Sequence, residues 1–143
     1  PPLLPSTAGG QSALPHLMSM SGFPTAFDHT RGGQGSVIVI VDSGIDGRRV
    51  PPARRAGGWA APGDDPWTDS FGHGTMTALV AMQMAPNAKV FSGKMPPGGH
   101  GGILKQWVMA AIEDMLPIIV ANPDLRFVMN NSWASGCGRE PYH

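Results

Sequence analysis

The chain of 143 residues carries ten Lys and Arg against ten Asp and Glu, and a net charge of zero offers no electrostatic case for nucleic acid or an anionic membrane as partner. Its length suffices for one domain with a core, and no apolar run approaches the roughly 20 residues that cross a bilayer. The single Cys137 excludes an internal disulfide and reads as a buried free thiol.

The chain opens on Pro1-Pro2 without an initiating Met, and we read it as a processed chain or a fragment. Residues 1–34, rich in Pro, Gly and Ser with no sustained period, read as an extended leader or linker. The first strand is expected over Ser36 to Val41. Its five consecutive β-branched residues suit a strand buried on both faces, as in a parallel sheet. From Asp46 to Ser70 the pattern is loop-like, with a weakly signalled strand near Gly57 to Ala61.

A helix is expected from His73, its apolar face made by Met76, Leu79, Val80 and Met84 with Ala78 and Ala81 beside them, and Pro86 ends it. Ala88 to Met95 reads as the next strand. Leu104, Trp107, Val108, Ala111, Ile112 and Met115 then recur at steps of three and one, the signature of an amphipathic helix that Pro117 and Pro123 close, with room for a kinked extension between them. Arg126 to Asn130 is a last short strand. Strand, helix, strand, helix, strand in this order predicts an α/β domain with a parallel sheet. In such sheets working residues gather beyond the carboxyl ends of strands, where Asp42 and the Asn130-Asn131-Ser132 segment fall.

A buried carboxylate beside a histidine accepts its Nδ1–H, sets the tautomer and stabilises the imidazolium formed when the ring takes a proton. Asp42 at a strand end and His73 at a helix start supply that pair from rigid elements. The segments around them carry a family resemblance. Val39-Ile40-Val41-Asp42-Ser43-Gly44-Ile45 resembles the aspartate motif of the subtilisin-like serine proteases. Phe71-Gly72-His73-Gly74-Thr75-Met76-Thr77-Ala78 resembles their histidine motif, with Asp69 matching an acidic residue often found four positions earlier. Ala85 to Met95 is similar to the stretch that follows, and Val128 to Ala134 to a later strand motif.

The resemblance implies a three-layer subtilisin-like α/β fold, of which residues 35–143 would be the N-terminal half, an incomplete peptidase domain. It implies a serine endopeptidase in which Asp42 orients His73 and His73 acts as general base and acid. Ser132, Trp133 and Ala134 would form an edge that pairs with an extended polypeptide substrate and borders the pocket before the scissile bond. Trp133 stands where the family usually has Leu. It serves equally well as a core aromatic. No cofactor is required. The family often binds structural calcium at loops, but Asp64, Asp65 and Asp69 read here as a solvated acidic turn. Secretion, and a prodomain as partner, are family-based expectations.

The chain departs from the family in lacking a serine in the nucleophile's Gly-Thr-Ser-Met-Ala setting; Ser43, Ser70, Ser132 and Ser135 all lie elsewhere. The later oxyanion asparagine has no counterpart either. Three readings follow: a piece of an active protease, one half of a two-chain protease completed by a missing C-terminal half, or an inactive peptide-binding module. A more remote reading makes Asp42 and Asp46 a metal or phosphoryl site.

Overall fold

The computed structural model describes residues 29–96 and 105–132. Strands β1 (Ser36–Asp42), β2 (Arg55–Ala60), β3 (Lys89–Lys94) and β4 (Arg126–Asn130) form one sheet in the order β2-β3-β1-β4, with every pair parallel. Helices α1 (His73–Met84) and α2 (Lys105–Val120) connect β2 to β3 and β3 to β4. The α/β class and the parallel sheet expected from the element order are both present.

β1 lies inside the sheet, and its β-branched run explains why. Val37, Val39 and Val41 point to one face and Ile40 to the other, all at most 2% exposed. The first set joins Phe91, Met95, Ala111 and Met115 in a core beneath α2. Ile40 joins Ile45, Val50, Ala78 and Val90 in a second core beneath α1. Burying a side chain of this size contributes about 1.5–3 kcal/mol, so the two clusters carry much of the stability.

Three elements refine the sequence pattern. The weakly signalled strand is present as β2, an edge strand that starts earlier, over Arg55–Ala60, although its Gly57-Gly58 pair makes a poor strand signal. Packing overrides propensity there: a Cβ on Gly58 would sit 2.7 Å from Pro66 Cγ, so only glycine admits the loop that crosses it. α2 runs on through Pro117 and ends at Val120, within the extension expected before Pro123. Its inward face is the expected one, with Ala111 and Met115 buried and Trp107, Val108 and Ile112 packed beside them. Arg31–Gly33 forms a short 3-10 turn tied to the domain, Asn87 donating its backbone N–H to Gly32 O at 2.8 Å and its side-chain amide to Arg31 O at 2.9 Å. The packed domain therefore reaches back into the segment assigned to the leader.

α1 packs inward the small-residue side of its expected apolar face, Ala78 and Ala81 included, and turns Val80 outward. Gly74, Thr75 and Ala78 are its buried positions, while Val80 is 45% exposed. Small residues let the helix lie close against β1 and β3, and that closeness governs the site described next. Its C-terminal end is held by Arg54, whose guanidinium donates to Ala88 O at 2.6 Å and Ala85 O at 3.0 Å.

Candidate active site

β1 carries Asp42 as its last residue, paired in register with Lys94 of β3. The side chain points to the α1 face and the residue is 4% exposed. α1 begins at His73, directly after Gly72 in a left-handed conformation (φ 92°). His73 Nδ1 lies 2.8 Å from Asp42 Oδ2 and 3.0 Å from Oδ1. A carboxylate only accepts hydrogen bonds, so Nδ1 carries a hydrogen, and in the neutral ring Nε2 keeps its lone pair. The imidazole is 48% exposed, against 6% for the aspartate side chain. The pair thus has a buried orienting end and an accessible basic end, the geometry in which an imidazole takes a proton from a partner arriving from solvent.

Two glycines make the approach geometrically feasible. A Cβ on Gly74 would overlap the Gly44 carbonyl oxygen and lie 3.0 Å from Asp42 Cβ. Gly44 has φ 101°, a left-handed conformation that favours glycine, and a Cβ there would overlap the Thr68 carbonyl. The helix start and the strand end are therefore in backbone contact.

Ser43 ties the two motifs together. Its N–H donates to Asp42 Oδ1 at 2.7 Å, its hydroxyl donates to Asp69 Oδ1 at 2.9 Å, and its Oγ accepts from Gly74 N–H at 3.0 Å. With its proton committed and a lone pair in use, Ser43 is a structural hydroxyl and poorly placed to serve as a nucleophile.

Asp69 is not the solvated acid that the sequence suggested. It is partly buried, and besides Ser43 it accepts from Phe71 N–H (3.1 Å), Gly72 N–H (2.8 Å), Thr75 N–H (2.9 Å) and Thr75 Oγ1–H (2.5 Å). Burial by itself would raise its carboxyl, but the Thr75 hydroxyl, the Gly72 and Thr75 amides and the Ser43 hydroxyl outweigh it and hold the group below its ordinary 3.8. A carboxyl depressed in the folded state contributes stability that is whole above its unfolded value and lost as pH falls through the folded one. Thermal stability is accordingly expected to fall below about pH 4, and Asp69→Asn to flatten that acid limb. Melting curves from pH 7 to 3 would show it, and an equally steep limb in the variant would refute the assignment.

The remaining acids have separate partners. Asp64 Oδ1 accepts from Lys94 Nζ at 2.7 Å, and the same ammonium reaches Thr68 Oγ1 at 2.7 Å. Together with Ile45 N–H to Pro66 O (3.1 Å) and Gly47 N–H to Trp67 O (2.9 Å), this lashes the loop that carries Asp69 onto the segment after β1. Asp46 is occupied by Arg48, which donates its N–H and Nε–H to Oδ1 and its Nη2–H to Oδ2 at 2.8–3.0 Å. The Asp42 and Asp46 carboxylates thus serve different partners, His73 and Arg48. Among the described residues no group of three or more His, Cys, Asp or Glu side chains is disposed to hold a metal ion.

Of the substrate-binding candidates, Ser132 lies two residues past the last β4 ladder pair, Asn130 opposite Ile40. It is exposed, and its hydroxyl donates to Asn130 Oδ1 at 2.6 Å. Trp133 and Ala134 lie outside the described residues, as does Cys137. β4 pairs only with β1, so its outer edge is open within the described sheet. An apolar cavity of about 100 Å³ lies on the opposite, α2 face, among Val39, Phe91, Met115 and Phe127, away from the Asp42 side.

The residues that sequence reasoning underrated are Asp69, Ser43, Gly44 and Thr75. Their common signal is a small or polar residue within four positions of one member of the pair, which spacing alone does not convert into contacts. The class that fold and site define is an α/β protein with an aspartate–histidine pair at the carboxyl end of a parallel sheet. No known family model and no curated protein matches the chain.

Proposed function

We propose that these residues are the aspartate- and histidine-bearing part of a subtilisin-like serine endopeptidase. The observation that carries the reading is the 2.8 Å contact from His73 Nδ1 to a buried Asp42 at the carboxyl end of an interior parallel strand. The motif resemblance around both residues supports it.

In this reading Asp42 keeps the imidazole in its Nδ1–H tautomer and stabilises the charge it gains. His73 Nε2 takes the proton of a serine hydroxyl as that oxygen attacks the peptide carbonyl, and returns it to the leaving amine. The serine and the oxyanion donor come from polypeptide beyond these residues or from a partner chain, since Ser43 is committed to Asp69 and Gly74. The substrate is an extended polypeptide. It pairs with the Ser132-Trp133-Ala134 segment that follows β4, whose side chains border the residue before the scissile bond. The chemistry needs no cofactor. Calcium, if used, is structural.

The test uses the full-length protein and a fluorophosphonate probe. Labelling of a serine that is lost in His73→Ala is the expected result. A protein that binds extended peptides yet is never labelled would overturn the protease reading and leave a peptide-binding module.

A further inference from the structure

We propose that Asp69 is a positioning residue for the Asp42–His73 pair, acting through Ser43 and the first turn of α1. The argument is one of placement. Phe71 and Gly72 precede His73, and both donate their backbone N–H to Asp69. Gly74 and Thr75 follow it. Thr75 donates its N–H to Asp69, and Gly74 donates to Ser43 Oγ, whose own hydroxyl hydrogen goes to Asp69. The histidine is thus flanked by two residues on each side whose backbone amides all end, directly or through one hydroxyl, on a single carboxylate.

The same carboxylate also governs the acid of the pair. Ser43 donates its backbone N–H to Asp42 and its side-chain O–H to Asp69, so one residue spans both carboxylates. Asp46 N–H is held by Thr75 Oγ1 at 2.9 Å, and that hydroxyl donates to Asp69. The turn after β1 and the turn before α1 therefore share one anchor. A pair of side chains from distant elements keeps a hydrogen bond only when both backbones are fixed to a fraction of an ångström. Asp69 supplies that fixation without touching His73's ring.

This inference rests on His73 being the working base, but its test reads ring geometry instead of turnover. The full chain is labelled with ¹⁵N-histidine, and the ring nitrogen shifts of His73 report which nitrogen carries the hydrogen in the neutral imidazole. In the wild type the Nδ1–H form is expected to dominate. Asp69→Asn is expected to lower the ratio of Nδ1–H to Nε2–H forms by about tenfold, the scale of one lost charge-assisted hydrogen bond. Ser43→Ala, which breaks the relay with less disturbance to the loop, is expected to do the same, and Ser43→Thr, which keeps the hydroxyl, to retain the wild-type ratio. Val90→Ala weakens the core on this same face and serves as the control.

A wild-type ratio in both Asp69→Asn and Ser43→Ala would overturn the proposal. An equal change in Val90→Ala would overturn it too, because Asp69 would then contribute only general stability. Failure of serine labelling would sink the protease reading and leave the tautomer measurement intact, so the two can be told apart.

Discussion

If the proposed protease reading holds, Asp42→Asn in the full-length protein is expected to lower peptide hydrolysis by about 10⁴-fold while leaving the thermal midpoint close to that of the wild type. The two side chains have the same shape, and the amide oxygen can still accept Ser43 N–H, which now donates to Asp42 Oδ1 at 2.7 Å. The change is in the direction of one hydrogen bond. An amide NH₂ facing His73 Nδ1 donates, so the ring must turn its lone pair inward and carry its hydrogen on Nε2. That tautomer cannot take a proton from a nucleophile. Steady-state hydrolysis of a peptide substrate, beside a melting curve, separates this from unfolding. Near-wild-type turnover in a folded Asp42→Asn protein would remove Asp42 from the mechanism. A large fall in midpoint would instead make it a structural residue.

Gly74→Ala is the second large effect, and it acts on packing. The new methyl would overlap the Gly44 carbonyl and press on Asp42 Cβ at 3.0 Å. Neither neighbour can yield easily, because one is backbone in a left-handed turn and the other ends an interior strand. Relief requires the start of α1 to retreat from β1, which stretches both the Ser43–Gly74 and Asp42–His73 hydrogen bonds. Overpacking of this kind costs about 3 kcal/mol, and for a domain of this size the midpoint is expected to fall by about 10 °C. The exposed Gly63, at a positive φ that Gly74 does not have and with open space around it, is the comparison site. Strain without a clash there is expected to cost about 1 kcal/mol. Equal losses at the two glycines would show that close approach is not what Gly74 provides.

Both expectations depend on features of different legibility. The β1 strand and its terminal Asp42 could be read directly, because five β-branched residues in a row have few structural alternatives. The spacing of Trp107, Val108, Ala111, Ile112 and Met115 likewise placed the inward face of α2. The face of α1 could not be read this way. Its apolar residues are spread around the helix, and the buried side was decided by where the smallest residues allow contact. β2 was only weakly legible for a related reason: its glycines lack strand propensity, and they are used because Pro66 and Phe91 crowd the backbone there.

What the sequence by itself determined is the α/β order of elements, the interior strand and the placing of Asp42 at a strand end and His73 at a helix start, all of which are local patterns of residue type. Tertiary structure alone decided that these two side chains meet at hydrogen-bonding distance, that Ser43 is tied up rather than free, and that Asp69 is an anchor rather than a solvated acid. The reason is physical. Propensity and periodicity act over a few neighbours, whereas a hydrogen bond between Asp69 and Ser43, or a glycine contact between residues 44 and 74, exists only once the sheet has brought distant turns together.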